Sequence, residues 1–265
     1  MSLVDAVVAH VLRIEVSLYH ARARLEAGTD GEALHDLRIG LRRLRSLLKP
    51  LRDRDGVSVL ETAAAAVGTL TSAARDLEVL AVELRRRGLH AAAGRREARL
   101  AGLYDEILGS PELERLFAGL DAWPADFRRA ERDGELRRLD RLLDRRLDKQ
   151  RRRLQDALAS LQHDPHRIRL LVKRNRYAAE AYPHHAPIST GAKAALKAVQ
   201  SALGAWHDRY QWCLRASREP DLRALRQPWQ DEAVLALQRA ESLMLVLQRT
   251  LAGEPRVDSL SRMRL

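Results

Sequence analysis

A single cysteine, Cys213, stands among the 265 residues. An internal disulfide and a cysteine-based zinc cluster are therefore excluded, and such thiol usage fits a reducing compartment. Aromatic residues make up only 4% of the chain. No run of β-branched and aromatic residues alternates with period two, so essentially no sheet is expected. No uninterrupted apolar stretch approaches the roughly 18 residues that would suggest a membrane span. The opening MSLVDAVVAHVLRIEV has no basic segment ahead of its apolar residues, and Asp5 and His10 interrupt it, unlike a signal peptide. These absences lead us to expect a soluble, cytoplasmic protein with no membrane partner. The G-x-x-x-x-G-K-[ST] loop of P-loop kinases is also missing. Lysine is scarce: Lys49, Lys149, Lys173, Lys193 and Lys197 are the only five, against 42 arginines.

What the chain does have is leucine, alanine and arginine. Its apolar content of 46% and its length suffice for a sizeable buried core. The net charge is +11. Arginine's planar fork grips phosphate oxygens two at a time, but the placement of the bases is more informative than their number. Across Leu34–Lys49, the residues His35, Arg38, Arg42, Arg45 and Lys49 follow at steps of 3, 4, 3 and 4. On an α-helix they share an arc of roughly 80°. Leu34, Leu37, Leu41, Leu44 and Leu48 take the opposite side, Arg43 lies on the flank of the stripe, and the only acid in the stretch is Asp36.

A charged face on an amphipathic helix is ordinarily a solvated surface. Here the pattern recurs. His166, Arg169, Lys173, Arg174 and Arg176 repeat the order, with bases at +3, +7, +8 and +10 from each histidine and an offset of 131 residues. Arg75-Asp76 follows the first copy and His207-Asp208 the second, offset by 132. Two stripes with one spacing, each trailed by a base-Asp pair, indicate an internal duplication. A control lies within the same chain. Between Glu131 and Gln150 six acids face seven bases, the balance of a solvated helix laced with ion pairs. From His166 to Arg176 five cationic side chains meet no acid. Aligned cations repel one another, so such a stripe favours a counter-anion lying against it. Four turns cover about 20 Å of helix, a length suited to a linear polyanion.

The remaining punctuation predicts helices throughout. The first runs from about Ser2 to Ala27, with a weaker polar stripe of its own at His10, Arg13, Ser17, His20 and Arg24. Thr29-Asp30-Gly31-Glu32 reads as a capping box opening the stripe-bearing helix, which should end near Lys49 because Pro50 follows. A third helix, capped by Asp55 or Ser58, should reach Arg87 with a possible bend at Gly68. Glu97–Leu108 is expected as a fourth, and Ser110-Pro111-Glu112 opens another. Trp123-Pro124 is the expected junction between halves. Beyond it we expect a charged helix over about Glu135–Leu161 and a second stripe helix capped by Asp164-Pro165. A helix capped by Ser189 or Thr190 should then carry Lys193, Lys197, Gln200 and His207. Last come a helix begun at Glu219-Pro220-Asp221 and interrupted at Pro228, and a closing one over Asp231–Leu251.

At its two stripes the sequence resembles the CHAD family, the conserved histidine α-helical domain. The family motif, His-x-x-Arg-x-x-x-Arg-Arg-x-Arg, is matched by His35, Arg38, Arg42, Arg43 and Arg45, and again by His166, Arg169, Lys173, Arg174 and Arg176. The Leu-Gly-x-x-(Arg/Asn)-Asp segment that follows is matched by Leu203-Gly204-Ala205-Trp206-His207-Asp208. In the first copy, Thr71-Ser72 replace the leucine and glycine, so helix packing there should differ. The resemblance covers nearly the whole chain. It implies an all-α fold, a single domain over residues 1–265 made of two four-helix-bundle repeats (1–123 and 124–265) about a pseudo-twofold axis.

The ligand implied by that resemblance is inorganic polyphosphate, held without catalysis. The expected contacts are the ten motif residues together with Lys49, Arg75, Lys193, Lys197 and His207. Association with polyphosphate granules would follow. The residues themselves specify only a long polyanion. Nucleic-acid backbone binding and a scaffold pairing its stripes with an acidic protein partner remain as alternatives. No cofactor or metal is expected. His35-Asp36 and His207-Asp208 look like the His-Asp pairs of metal phosphohydrolases, but their arginine neighbours would repel a metal ion, and Arg167 does the same for His163-x-x-His166. The E-x-E-x-K strand of the triphosphate-tunnel barrels that often accompany the family is absent.

Overall fold

The computed structural model describes residues 2–54, 56–160 and 164–253. Among them there is no strand, and the chain separates into two compact units, residues 1–140 and 141–265. The all-α expectation holds.

In the first unit, α1 (Leu3–Glu26) opens with the Ser2/Asp5 capping box and buries Val4, Val7, Val8, Val11, Ile14, Leu18, Ala21 and Leu25. That 3/4 spacing is one continuous apolar face. α2 (Ala33–Leu48) packs against it, close enough at Gly40 that a Cβ there would lie 2.6 Å from Leu18 Cδ2. The start of α2 differs from the expected capping box. Glu32 occupies the cap position without a side-chain bond. Instead Arg24 grips Asp30 at 2.6 Å and Asp36 at 2.6 Å, and Asp30 accepts from the Glu32 amide. A guanidinium from the end of α1 thus fixes the entry into the stripe helix.

A short 3-10 turn, Lys49–Leu51, leads through left-handed Gly56 (φ +73°) into α3 (Val57–Leu70). Asp55 lies outside the described residues, and Ser58 sits inside the first turn of α3. The long third helix is two helices, because α4 (Ser72–Arg86) begins after a break at Thr71, bent by 40°. α5 (His90–Leu108) starts seven residues before the expected Glu97, burying Ala92 and Ala93 as it packs on α4. α6 (Pro111–Arg132) is capped by Ser110, as expected.

The junction expected at Trp123-Pro124 falls inside α6. The apolar face runs unbroken through it (Leu116, Leu120, Trp123, Phe127), and Trp123 stacks on Phe127 with centroids 4.4 Å apart. One stacked i, i+4 pair carries the helix past the bond that proline removes. The division falls instead after the left-handed residues Gly134 (φ +79°) and Arg138 (φ 60°), which delay the next helix to Leu139.

The second unit is built from α7 (Leu139–Ala159), α8 (Pro165–Ala181), α9 (Thr190–Ala216), a 3-10 turn (Pro220–Leu225) and α10 (Arg226–Ala252). Pro228 lies in the first turn of α10, where its missing N–H leaves nothing unpaired, rather than interrupting a helix. Asp164 and Ser189 cap α8 and α9, as the sequence predicts. The core joins Leu154 and Leu158 of α7, Ile168 and Val172 of α8, Leu196, Val199 and Leu203 of α9, and Leu247 and Leu251 of α10. The described residues hold six α-helices in the first unit and four in the second, so the first differs from the expected four-helix count. No single helix among them is long and apolar enough to cross a membrane.

Candidate polyanion sites

In the first unit, His35, Arg38, Arg42, Arg43 and Arg45 lie on α2, and Lys49 lies in the turn just beyond it. The leucines opposite, Leu34, Leu37, Leu41, Leu44, Leu47 and Leu48, are buried. They fix the rotation of α2 and so the direction of the stripe. The facing helices, α3 and α4, run antiparallel to α2, as three contacts show. Arg45 pairs with Glu61 at 3.2 Å, Arg38 meets residues 68–72, and His35 lies in the field of Arg75.

Arg38 has a structural task. Its Nη1 donates to the Gly68 carbonyl (2.9 Å) and to the hydroxyls of Thr71 (2.6 Å) and Ser72 (3.3 Å). Gly68 is in the last turn of α3, whose carbonyls lose their helical partners at the break. A guanidinium there satisfies the carbonyl and complements the negative end of the helix dipole. Burial, reinforced by Arg42 and Arg75, lowers the pKa of Arg38, while Asp76 and Glu78 oppose that shift. Burial and Arg75 likewise lower the pKa of His35.

Arg75 is braced by Glu78 at 2.8 Å, and Glu78 also accepts from the Tyr104 hydroxyl at 2.6 Å. Arg43, exposed on the flank, adds to the field of Arg13 around His10. The weaker stripe of α1 therefore adjoins the main one through Arg43.

In the second unit, α8 carries His166, Arg169, Lys173, Arg174 and Arg176, and α9 carries Lys193, Lys197 and His207. α8 and α9 are antiparallel. Arg176 Nε donates to Gln200 at 2.8 Å, and the His166 ring lies 5.3 Å from that of His207, edge to face. Arg176 is also held by Glu180 at 2.6 Å and lies over the Tyr177 ring at 4.3 Å. Arg174, Lys193 and Lys197 are exposed, the two lysines on the α9 face that carries Gln200.

His207 is the most perturbed base of the group. Burial first, then Arg169, His166 and Lys173, pushes its pKa down to about 4. Its Nδ1 is buried and has no hydrogen-bond partner. A phosphate oxygen nearby would reverse the cationic part of that field, so bound anion and bound proton would favour each other.

Sequence reasoning missed Trp206 and Tyr210. Their rings lie 4.6 Å and 5.5 Å from His166 and 5.8 Å from each other. The i, i+4 spacing of the two aromatics was visible, but nothing in it placed His166 opposite. His163 lies outside the described residues. Among those described, no three His, Cys, Asp or Glu side chains converge as a metal site would need.

No curated protein matches the sequence significantly. A crystal structure of the CHAD domain from the plant Ricinus communis aligns with a TM-score of 0.66 at 25% identity, over 99% of this chain and 91% of that one. The CHAD domain family model matches residues 12–217, a span that contains both stripes and both base-Asp pairs. The chain belongs to the CHAD domain family.

Proposed function

We propose that the protein binds inorganic polyphosphate through its two basic helix stripes and leaves the chain chemically unchanged. The observation that carries this reading is the pairing of each stripe with a second base-bearing helix. Arg75 adds to the field around His35, and His207 sits among His166, Arg169 and Lys173. Clustered cations at this density are favourable when a polyanion neutralises several of them at once. Family membership supports polyphosphate over other polyanions. Binding would release counterions and weaken steeply with salt. A cytoplasmic protein with this property would collect on polyphosphate granules.

Titration calorimetry with long-chain polyphosphate at near-physiological salt tests the reading, beside DNA at equal phosphate concentration and orthophosphate. Tight binding to polyphosphate alone is expected. Equal binding to DNA would reduce the property to generic polyanion affinity, and no binding at all would favour the acidic-partner scaffold. Polyphosphate recovered after incubation with divalent metal should keep its length.

A further inference from the structure

The second stripe ends against an aromatic groove. Past the start of α8, helix α9 continues with α10 beside it, and between them runs a groove of about 320 Å³. That is the lower end of the roughly 300–1,000 Å³ common for small-molecule sites. Trp206, Tyr210 and Leu214 line it from α9, with Val234 and Leu237 from α10. Gln230 and Arg226 also line it. Tyr210 is 41% exposed and Leu214 44%. Trp206 and Tyr210 are nearly parallel, at 27°, and the exposed part of the Tyr210 ring offers surface to one more flat ring.

Charge and apolar surface meet at one residue. His166 touches both groove aromatics and heads the row His166, Arg169, Lys173, Arg176, which extends about 15 Å along α8. A ligand matching this arrangement has a flat aromatic head at one end and several phosphates in a line behind it. We infer that the second stripe is a site for nucleoside 5′-polyphosphates, the base stacked on Tyr210 and the phosphates laid along α8 from His166. Inorganic polyphosphate would use the same cations and leave the groove empty. The inference rests on the polyanion reading and adds a head-group preference to it. Stacking of a base on an aromatic side chain should strengthen binding by roughly ten- to a hundredfold.

The test is calorimetry on the full chain with ATP and inorganic triphosphate, probes of similar phosphate content, at one salt concentration and one pH. ATP should bind at least about tenfold tighter. Tyr210→Ala should erase that advantage without changing triphosphate affinity, Tyr210→Phe should keep it, and Leu214→Glu, a second exposed position, should also erase it. Lys173→Glu should weaken both probes. Equal affinities in the wild type would overturn the inference, and so would an ATP advantage that survives both Tyr210→Ala and Leu214→Glu. Failure of ATP to bind a protein that still binds long-chain polyphosphate would overturn it as well, leaving the polyanion reading intact. If long-chain polyphosphate itself fails to bind, that reading falls, and this inference with it.

Discussion

Helix α9 runs without interruption through the level at which it meets the second stripe, whereas the helix facing the first stripe is broken into α3 and α4. In sequence, Thr71-Ser72 stand 132 residues before Leu203-Gly204. Leu203 is fully buried in an apolar core, and the backbone around it is helical throughout. Thr71 is just as buried, but its hydroxyl donates to the Val67 carbonyl at 2.8 Å and accepts from Arg38 at 2.6 Å. A buried hydroxyl must find partners, and Thr71 finds one in the last turn of α3 and the other on α2. The acids that restrain the stripes differ too. Arg45 is paired by Glu61 from the facing helix, and Arg176 by Glu180 from its own. The position 132 residues after Glu61 is Lys193, and the position 131 before Glu180 is Lys49. One repeated pattern therefore yields two local electrostatic arrangements.

Exchanging the divergent dipeptides would test this contrast most severely. Leu203→Thr with Gly204→Ser removes buried methyl groups and inserts a hydroxyl into an apolar core. A loss of about 3 kcal/mol is expected, read from the urea midpoint. Tolerance within about 1 kcal/mol would mean that these two residues do not decide between broken and continuous helix. Next in size, Arg42→Glu combined with Lys173→Glu should abolish polyphosphate binding in calorimetry while the far-ultraviolet circular dichroism stays unchanged. Each single reversal should cost roughly tenfold or more, since one cation is lost and one repulsion is added. Retained affinity in the double variant would move the site off the stripes.

The reciprocal exchange, Thr71→Leu with Ser72→Gly, should cost about 1–2 kcal/mol by taking two acceptors from a half-buried guanidinium. A stability gain would show that the break is a burden rather than an anchor. A pH-dependent effect concerns His207. Its folded pKa, near 4, lies below the ordinary value of 6.5. The unfolded chain therefore binds the extra proton first. Stability should be complete above about pH 6.5 and decline as pH falls toward 4, and His207→Gln should flatten that slope in thermal melts. Polyphosphate affinity should move the opposite way, rising as pH falls, because the bound anion draws the proton onto the histidine.

Most of the fold was legible because amphipathic spacing and caps are local properties. Ser2, Ser110, Asp164 and Ser189 each open a helix where the sequence placed one. The stripes were legible for the same reason, since buried leucines opposite them set their direction. Features requiring distant partners were not. Arg24 reaching Asp30 and Asp36 replaced a capping box that looked complete on paper. Trp123 and Phe127 held a helix together across a proline that looked like a boundary. The departure at Thr71-Ser72 announced altered packing, but only the structure showed that Arg38 answers it.

That answer changes how the first stripe should be read in other sequences. An arginine at the position of Arg38 closes a helix end, so in a chain that shares the break it would be kept for folding even if no anion were ever bound. Comparisons among relatives that treat every motif arginine as a record of ligand binding will overcount there. A relative that has restored the Leu-Gly pair would release this residue from backbone duty. Its identity at the position would then report on the ligand alone.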